Sequence, residues 1–106
     1  MAKKDDNPEI QARVGYAYME GKDTKQNIDE AIYWFKKSSE RGNKDASLAL
    51  YVIYSGMFKK EYENKKLMIH YIKNAAVQGD GGSQGLLATL YSKGDLVPKD
   101  DIQAFE

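Results

Sequence analysis

The chain lacks cysteine entirely and holds one histidine in 106 residues. Without cysteine there is no disulfide framework, no thiolate nucleophile and no sulfur-ligated metal. That absence fits a reducing compartment and leaves a secreted origin open. No apolar run approaches the roughly 20 residues that span a bilayer. The opening "MAKKDDNPE" has no apolar core of the kind a signal peptide needs, so a cytoplasmic location is expected. Charge of one sign is also missing: 16 basic residues face 16 acidic ones, for a formal net charge of zero. No excess positive field exists to hold nucleic acid or an anionic membrane, and neither is expected as a partner. The run "KKEYENKK" at 59–66 is broken by Glu61 and Glu63 and reads as a solvated linker.

What is present is a composition of 42% hydrophobic and 30% charged residues, enough apolar matter for one small soluble domain. The chain also repeats itself. Tyr18, Tyr54 and Tyr91 fall at near-constant spacing, and four positions before each stand Val14, Leu50 and Leu87. Asn27, Asn64 and Asp100 keep that spacing, as do Ala31, Met68 and Ala104. Gly42 answers Gly79, and Ala46 answers Ser83. Coincident offsets of this kind mark a tandem repeat, with units at about 8–43, 44–80 and a partial 81–106.

Each unit reads as two helices. First helices are expected over about 8–20, 44–57 and 81–93, and second helices over about 28–41, 65–78 and a stub from 101. Asn7 before Pro8 is a start signal, since asparagine caps and proline suits the first helical position. Asn27 with Glu30, and Asp100 with Gln103, have capping-box spacing. Gly42 and Gly79 stand where a helix stops on a left-handed residue. Ile28, Ala31, Ile32 and Phe35 form one apolar helical stripe; Leu67, Met68, Tyr71, Ile72, Ala75 and Ala76 form its counterpart. No run alternates at period two over a strand length. The expected fold is all-α.

Signals for chemistry resolve into structural parts. His70 has no partner at ligand spacing and takes the slot of Tyr33 one unit earlier, so a surface or groove position is expected. "GDGGSQG" at 79–85 resembles a phosphate loop, yet Gln84 stands where G-x-G-x-x-G needs glycine, no strand precedes it and no P-loop lysine follows. In the repeat register Gly79 ends a helix and Gly81, Gly82 and Gly85 open the next, whose start is expected to fray. Among the acidic pairs Asp5–Asp6, Asp29–Glu30 and Asp100–Asp101, two sit at helix starts and complement the helix dipole. No Ser-His-Asp arrangement with an elbow or oxyanion loop is visible. Tyr16 and Tyr62 fall outside the core register, and exposed tyrosine is a frequent binding anchor.

The quoted residues resemble the Sel-one-like repeat, a relative of the tetratricopeptide repeat. The first unit supplies Val14, Gly15, Tyr18, Gly21, Ala31, Trp34, Lys37 and Gly42, with Ile10 in place of the opening alanine and Ser38–Ser39 in place of an alanine pair. The second supplies Ala46, Leu50, Tyr54, Tyr71, Ala75, Ala76 and Gly79, with Tyr51 where a close-contact glycine is expected. The third supplies Leu87, Ala88, Tyr91, Gly94, Asp100 and Ala104. The resemblance implies an α-α superhelix (solenoid) of antiparallel helix pairs, about two and a half repeats long. Small residues such as Gly15, Ala31, Ala75, Ala76 and Ala88 would let helix axes approach, with Tyr18, Trp34, Tyr54, Tyr71 and Tyr91 filling the gaps.

The resemblance further implies a non-enzymatic module that binds another protein on a concave face, as an adaptor or scaffold or as a small inhibitor or immunity-type protein. By analogy with tetratricopeptide units that face lies on the first helices, at Glu9, Tyr16, Met19, Glu20, Asp45, Leu48, Val52, Ser55, Thr89 and Ser92. No catalytic, cofactor or metal residue is expected. The alternative is a hydrolase or small-ligand enzyme, since a cysteine-rich branch of the family was linked to β-lactams; a chain with no cysteine departs from that branch. The short third unit would leave apolar surface exposed, and self-association is a further expectation.

Overall fold

A computed structural model describes residues 7–93. Five α-helices follow one another: α1 (Pro8–Glu20), α2 (Ile28–Glu40), α3 (Lys44–Ser55), α4 (Lys65–Val77) and α5 (Gly81–Lys93). A single 3₁₀ turn, Lys60–Tyr62, interrupts the linker before α4, and no strand occurs among the described residues. The third unit's second helix, with Asp100, Gln103 and Ala104, lies outside the described residues. So do Asp5, Asp6, Asp101 and the side chain of Tyr91.

Every described helix starts on an asparagine or aspartate acceptor, because the first helical amides have no partner within the helix. Asn7 Oδ1 accepts from the Glu9 amide at 2.8 Å, Asn27 from Glu30 at 3.0 Å, Asn43 from Ala46 at 2.9 Å and Asn64 from Leu67 at 3.1 Å. Asp80 Oδ2 accepts from both the amide and the hydroxyl of Ser83, at 2.7 and 2.6 Å. The glycine-rich start of α5 is therefore helical from Gly81, not frayed as its composition suggests. Only half of the expected capping box forms at Asn27. Its amide, which Glu30 would reach back to satisfy, donates instead to the Tyr18 carbonyl at 2.8 Å, and the Asn64 amide donates to Tyr54 at the same distance. The first two units thus each tie the start of their second helix to the end of their first.

The two glycine stops are built alike. Gly42 (φ +95°) and Gly79 (φ +100°) are left-handed. Their amides donate to Ser39 and Ala76, and the next residues, Asn43 and Asp80, donate to Ser38 and Ala75. These are the serine and alanine pairs of the repeat. Their burial is complete or nearly so, from 0% to 5% exposed, which explains why only small residues occupy them. The serines do more than fill space. Ser38 Oγ donates to the Pro8 carbonyl at 2.6 Å. Ser39 and Ser47 share a hydroxyl–hydroxyl bond of 2.6 Å, Ser47 Oγ donates to Gln78 Oε1 at 2.8 Å, and Gln78 Nε2 donates to the Ser39 carbonyl at 3.0 Å. A closed polar loop therefore joins α2, α3 and the end of α4.

Each helix packs on its chain neighbours, and α1 also touches α3 directly. One continuous core results, with Ala31, Phe35, Ala46, Leu50, Ile53 and Ala75 fully buried. Gly15 permits the closest approach: a Cβ there would stand 2.7 Å from Phe35 Cε1. Phe35, not the neighbouring Trp34, is the buried ring of the first unit, and Trp34 is only half-buried. Tyr71, which takes the Trp34 register in the second unit, is buried and stacked on Tyr54 at 5.9 Å. Ala88 is exposed, and the segment that would cover it in the repeat register lies outside the described residues.

Candidate functional site

Direct contact between α1 and α3 leaves an open groove of about 260 Å³ near their N-terminal ends, lined by Glu9, Ala12, Arg13, Tyr16, Asn43 and Asp45. The spacing on α1 is i, i+3, i+4, i+7, one helical face, so a single register delivers four of the six lining residues. Asn43 and Asp45 arrive from the cap and first turn of α3. Ala12 is a buried floor; Tyr16 is 37% exposed at one wall.

Tyr16 is held rather than loose. Its ring meets Phe35 edge to face, with centroids 4.9 Å apart and planes at 77°. Its hydroxyl donates to the Asp45 carbonyl at 3.4 Å. Burial raises its pKa above 10.0, and the negative charges of Asp45 and Glu20 push it further the same way. The phenol is thus neutral and faces a negative field. No ion pair joins Glu9, Arg13, Glu20 or Asp45 to another described residue.

Of the ten residues expected on the binding face, Glu9, Tyr16 and Asp45 come together in this groove, with exposed Glu20 one turn beyond Tyr16 on α1. The others do not join them. Met19 and Leu48 are half-buried against the core. Val52 and Ser55 are half-buried, with Ser55 Oγ donating to the Val52 carbonyl at 2.6 Å. Thr89 is exposed but its hydroxyl returns to the Gly85 carbonyl at 3.1 Å, and Ser92 is exposed on α5. Sequence reasoning passed over Arg13 and Asn43. Arg13 lies four residues after Glu9 and three before Tyr16, a spacing that could have placed it on their face.

Tyr62 belongs to the scaffold. It is half-buried against the core and donates to Asp29 Oδ1 at 3.1 Å. With Lys59 Nζ donating to Gln26 Oε1 at 3.3 Å, it fastens the 59–66 linker to the first unit. That linker is structured, not merely solvated. His70 is exposed, beside Tyr71 with ring centroids 4.7 Å apart and 3.5 Å from Asn74 Nδ2. Among the described residues no three His, Asp or Glu side chains gather in a way that could hold a metal ion. No described helix is long and apolar enough to cross a membrane. A second aromatic group lies on α2, where exposed Tyr33 meets Trp34 edge to face and Lys37 Nζ lies 5.2 Å from the Tyr33 ring centroid.

Consecutive antiparallel helix pairs in register, with the same cap, stop and small-residue slots, define an α-helical repeat protein. The family model described as Sel1 repeat matches residues 8–43 and 82–106, and the chain belongs to that family. Among solved structures it is similar to the crystal structure of a Sel1 repeat protein from Oxalobacter formigenes, at 29% identity and a TM-score of 0.72. The match covers 83% of this chain and 25% of that one, so the chain spans about a quarter of that protein's length. No curated protein matches the chain. Sel1 repeats are in general protein–protein interaction modules.

Proposed function

We propose that this chain binds a partner protein through the face of α1 and α3, centred on the Tyr16 groove, and does so without chemistry of its own. The observation that carries this reading is the exposed Tyr16 ring, fixed by Phe35 and Asp45 at the wall of an open groove. A side chain already held in one rotamer loses little entropy on binding, and tyrosine offers apolar area with a polar tip. Family membership supports an interaction role, as an adaptor or as a small inhibitor of one target. The residues flanking Tyr16 are acidic and basic side chains that form no ion pair among the described residues.

Side-by-side capture with wild type, Tyr16→Ala and His70→Ala tests this. Both positions are exposed, and only the first lies in the groove. Loss of a captured partner with Tyr16→Ala and retention with His70→Ala is expected; equal retention by both variants rejects the face. Met19 is unsuitable for such a test, because it is packed against the core and its loss would disturb the fold.

A further inference from the structure

Resting on that reading, we infer that the groove between α1 and α3 seats a basic side chain, lysine or arginine, of a partner peptide, its stem on the Tyr16 ring and its cationic head toward the carboxylates of Asp45 and Glu9.

Three independent features lead to this occupant. The first is shape: the groove is open and its volume of about 260 Å³ admits one long side chain, not a folded element. The second is the wall. An aromatic face that is part-exposed and rigid suits an aliphatic stem ending in a cation, through both burial and attraction to the ring. The third is charge. Glu9 and Asp45 against Arg13 leave the lining net negative, and Glu20 acts on Tyr16 from beyond it. Neither lining carboxylate is engaged by a described cation. Lys44, next to Asp45 in sequence, acts on Asp80 at the start of α5, away from the groove. Arg13 on the same wall disfavours a second cation there and gives the site polarity. Its guanidinium can donate to a peptide carbonyl or pair with an acidic neighbour of the seated residue.

The inference is tested by selection of phage-displayed random dodecapeptides on the whole chain, followed by fluorescence anisotropy of the enriched peptides. Binding to wild type, Tyr16→Ala and the isosteric pair Glu9→Gln/Asp45→Asn is compared, with circular dichroism and thermal melting verifying each fold. Lysine or arginine enriched at one fixed position is expected, with affinity reduced about tenfold in the Glu9→Gln/Asp45→Asn variant and falling as salt rises. Replacing the enriched basic residue in the peptide by norleucine is expected to cost a similar factor. Peptides that need Tyr16 but carry no fixed basic residue overturn the inference and leave the interaction face standing. Peptides that bind equally to wild type and Tyr16→Ala, or no enrichment at all, overturn both.

Discussion

Gly15 lies so close to the Phe35 ring that a Cβ on it would stand 2.7 Å from Cε1 and 2.8 Å from Cδ1. Real Cβ atoms do not come so near a ring, and Phe35 is fully buried with nowhere to retreat. Gly15→Ala should therefore destabilise the fold by about 1–3 kcal/mol through overpacking, although alanine is the better helix former. Urea unfolding of Gly15→Ala, Phe35→Leu and the double variant checks this. The double variant should be more stable than the sum of the single losses indicates, because the smaller side chain relieves the clash.

The Tyr18–Asn27 and Tyr54–Asn64 backbone bonds leave the cap amides independent of any side chain. Asn27→Ala and Asn64→Ala should each cost about 1 kcal/mol, the value of a lost cap acceptor. Glu30→Ala should cost far less than a full capping box would, since the amide it would serve is already bonded. Denaturation midpoints of the three variants distinguish these outcomes.

The Ser39–Ser47–Gln78 loop closes the joint between the first two units. Ser47 is fully buried, so Ser47→Ala leaves the Ser39 hydroxyl and the Gln78 carbonyl short of a partner at once. A loss of about 1–3 kcal/mol is expected, as for other buried polar groups deprived of a partner. Ser39→Ala with Ser47→Ala together should cost less than the two changes summed, which a double-mutant cycle measures.

Asp80 makes stability depend on acid. The Ser83 hydroxyl and amide bond its carboxylate and hold its pKa below the ordinary 3.8, with Lys44 adding to the effect. A lowered folded value means the contribution is fully present above pH 3.8 and is lost as pH falls through the folded value. Asp80→Asn keeps an acceptor but does not titrate. The stability difference between wild type and Asp80→Asn should therefore be largest near neutral pH and shrink on acidification below that window, followed by urea unfolding across pH.

Most of the fold was legible in the sequence because repetition supplies its own control. A slot filled by glycine twice, or by Ser–Ser and then Ala–Ala, shows that the fold requires backbone geometry and small volume there, to which Ser38 and Ser39 add hydroxyl bonds of their own. The helix spans expected from caps and stripes agree closely with those observed, and α5 runs over 81–93 as expected. What stayed hidden were contacts between residues far apart in the chain. The Tyr18 carbonyl taking the place of the Glu30 side chain, and Gln78 reaching Ser47 across 31 positions, follow from how helices stack and leave no periodic trace. The candidate site was legible only in part. Helical spacing finds residues on one face, but Met19 and Leu48 lie on the first helices of their units and still pack against the core. The groove depends on where α3 meets α1, so Asn43 emerges only with the fold, whereas the spacing of Arg13 from Glu9 and Tyr16 already marked its face.

The central claim is that partners meet the α1–α3 face at Tyr16. A photo-crosslinking residue placed at position 16, and in a separate protein at position 70, tests it most directly when each is irradiated with a captured partner. Crosslinks at position 16 and none at position 70 are the expected result. Crosslinks at position 70 with position 16 silent, in proteins that retain the native melting curve, would contradict it.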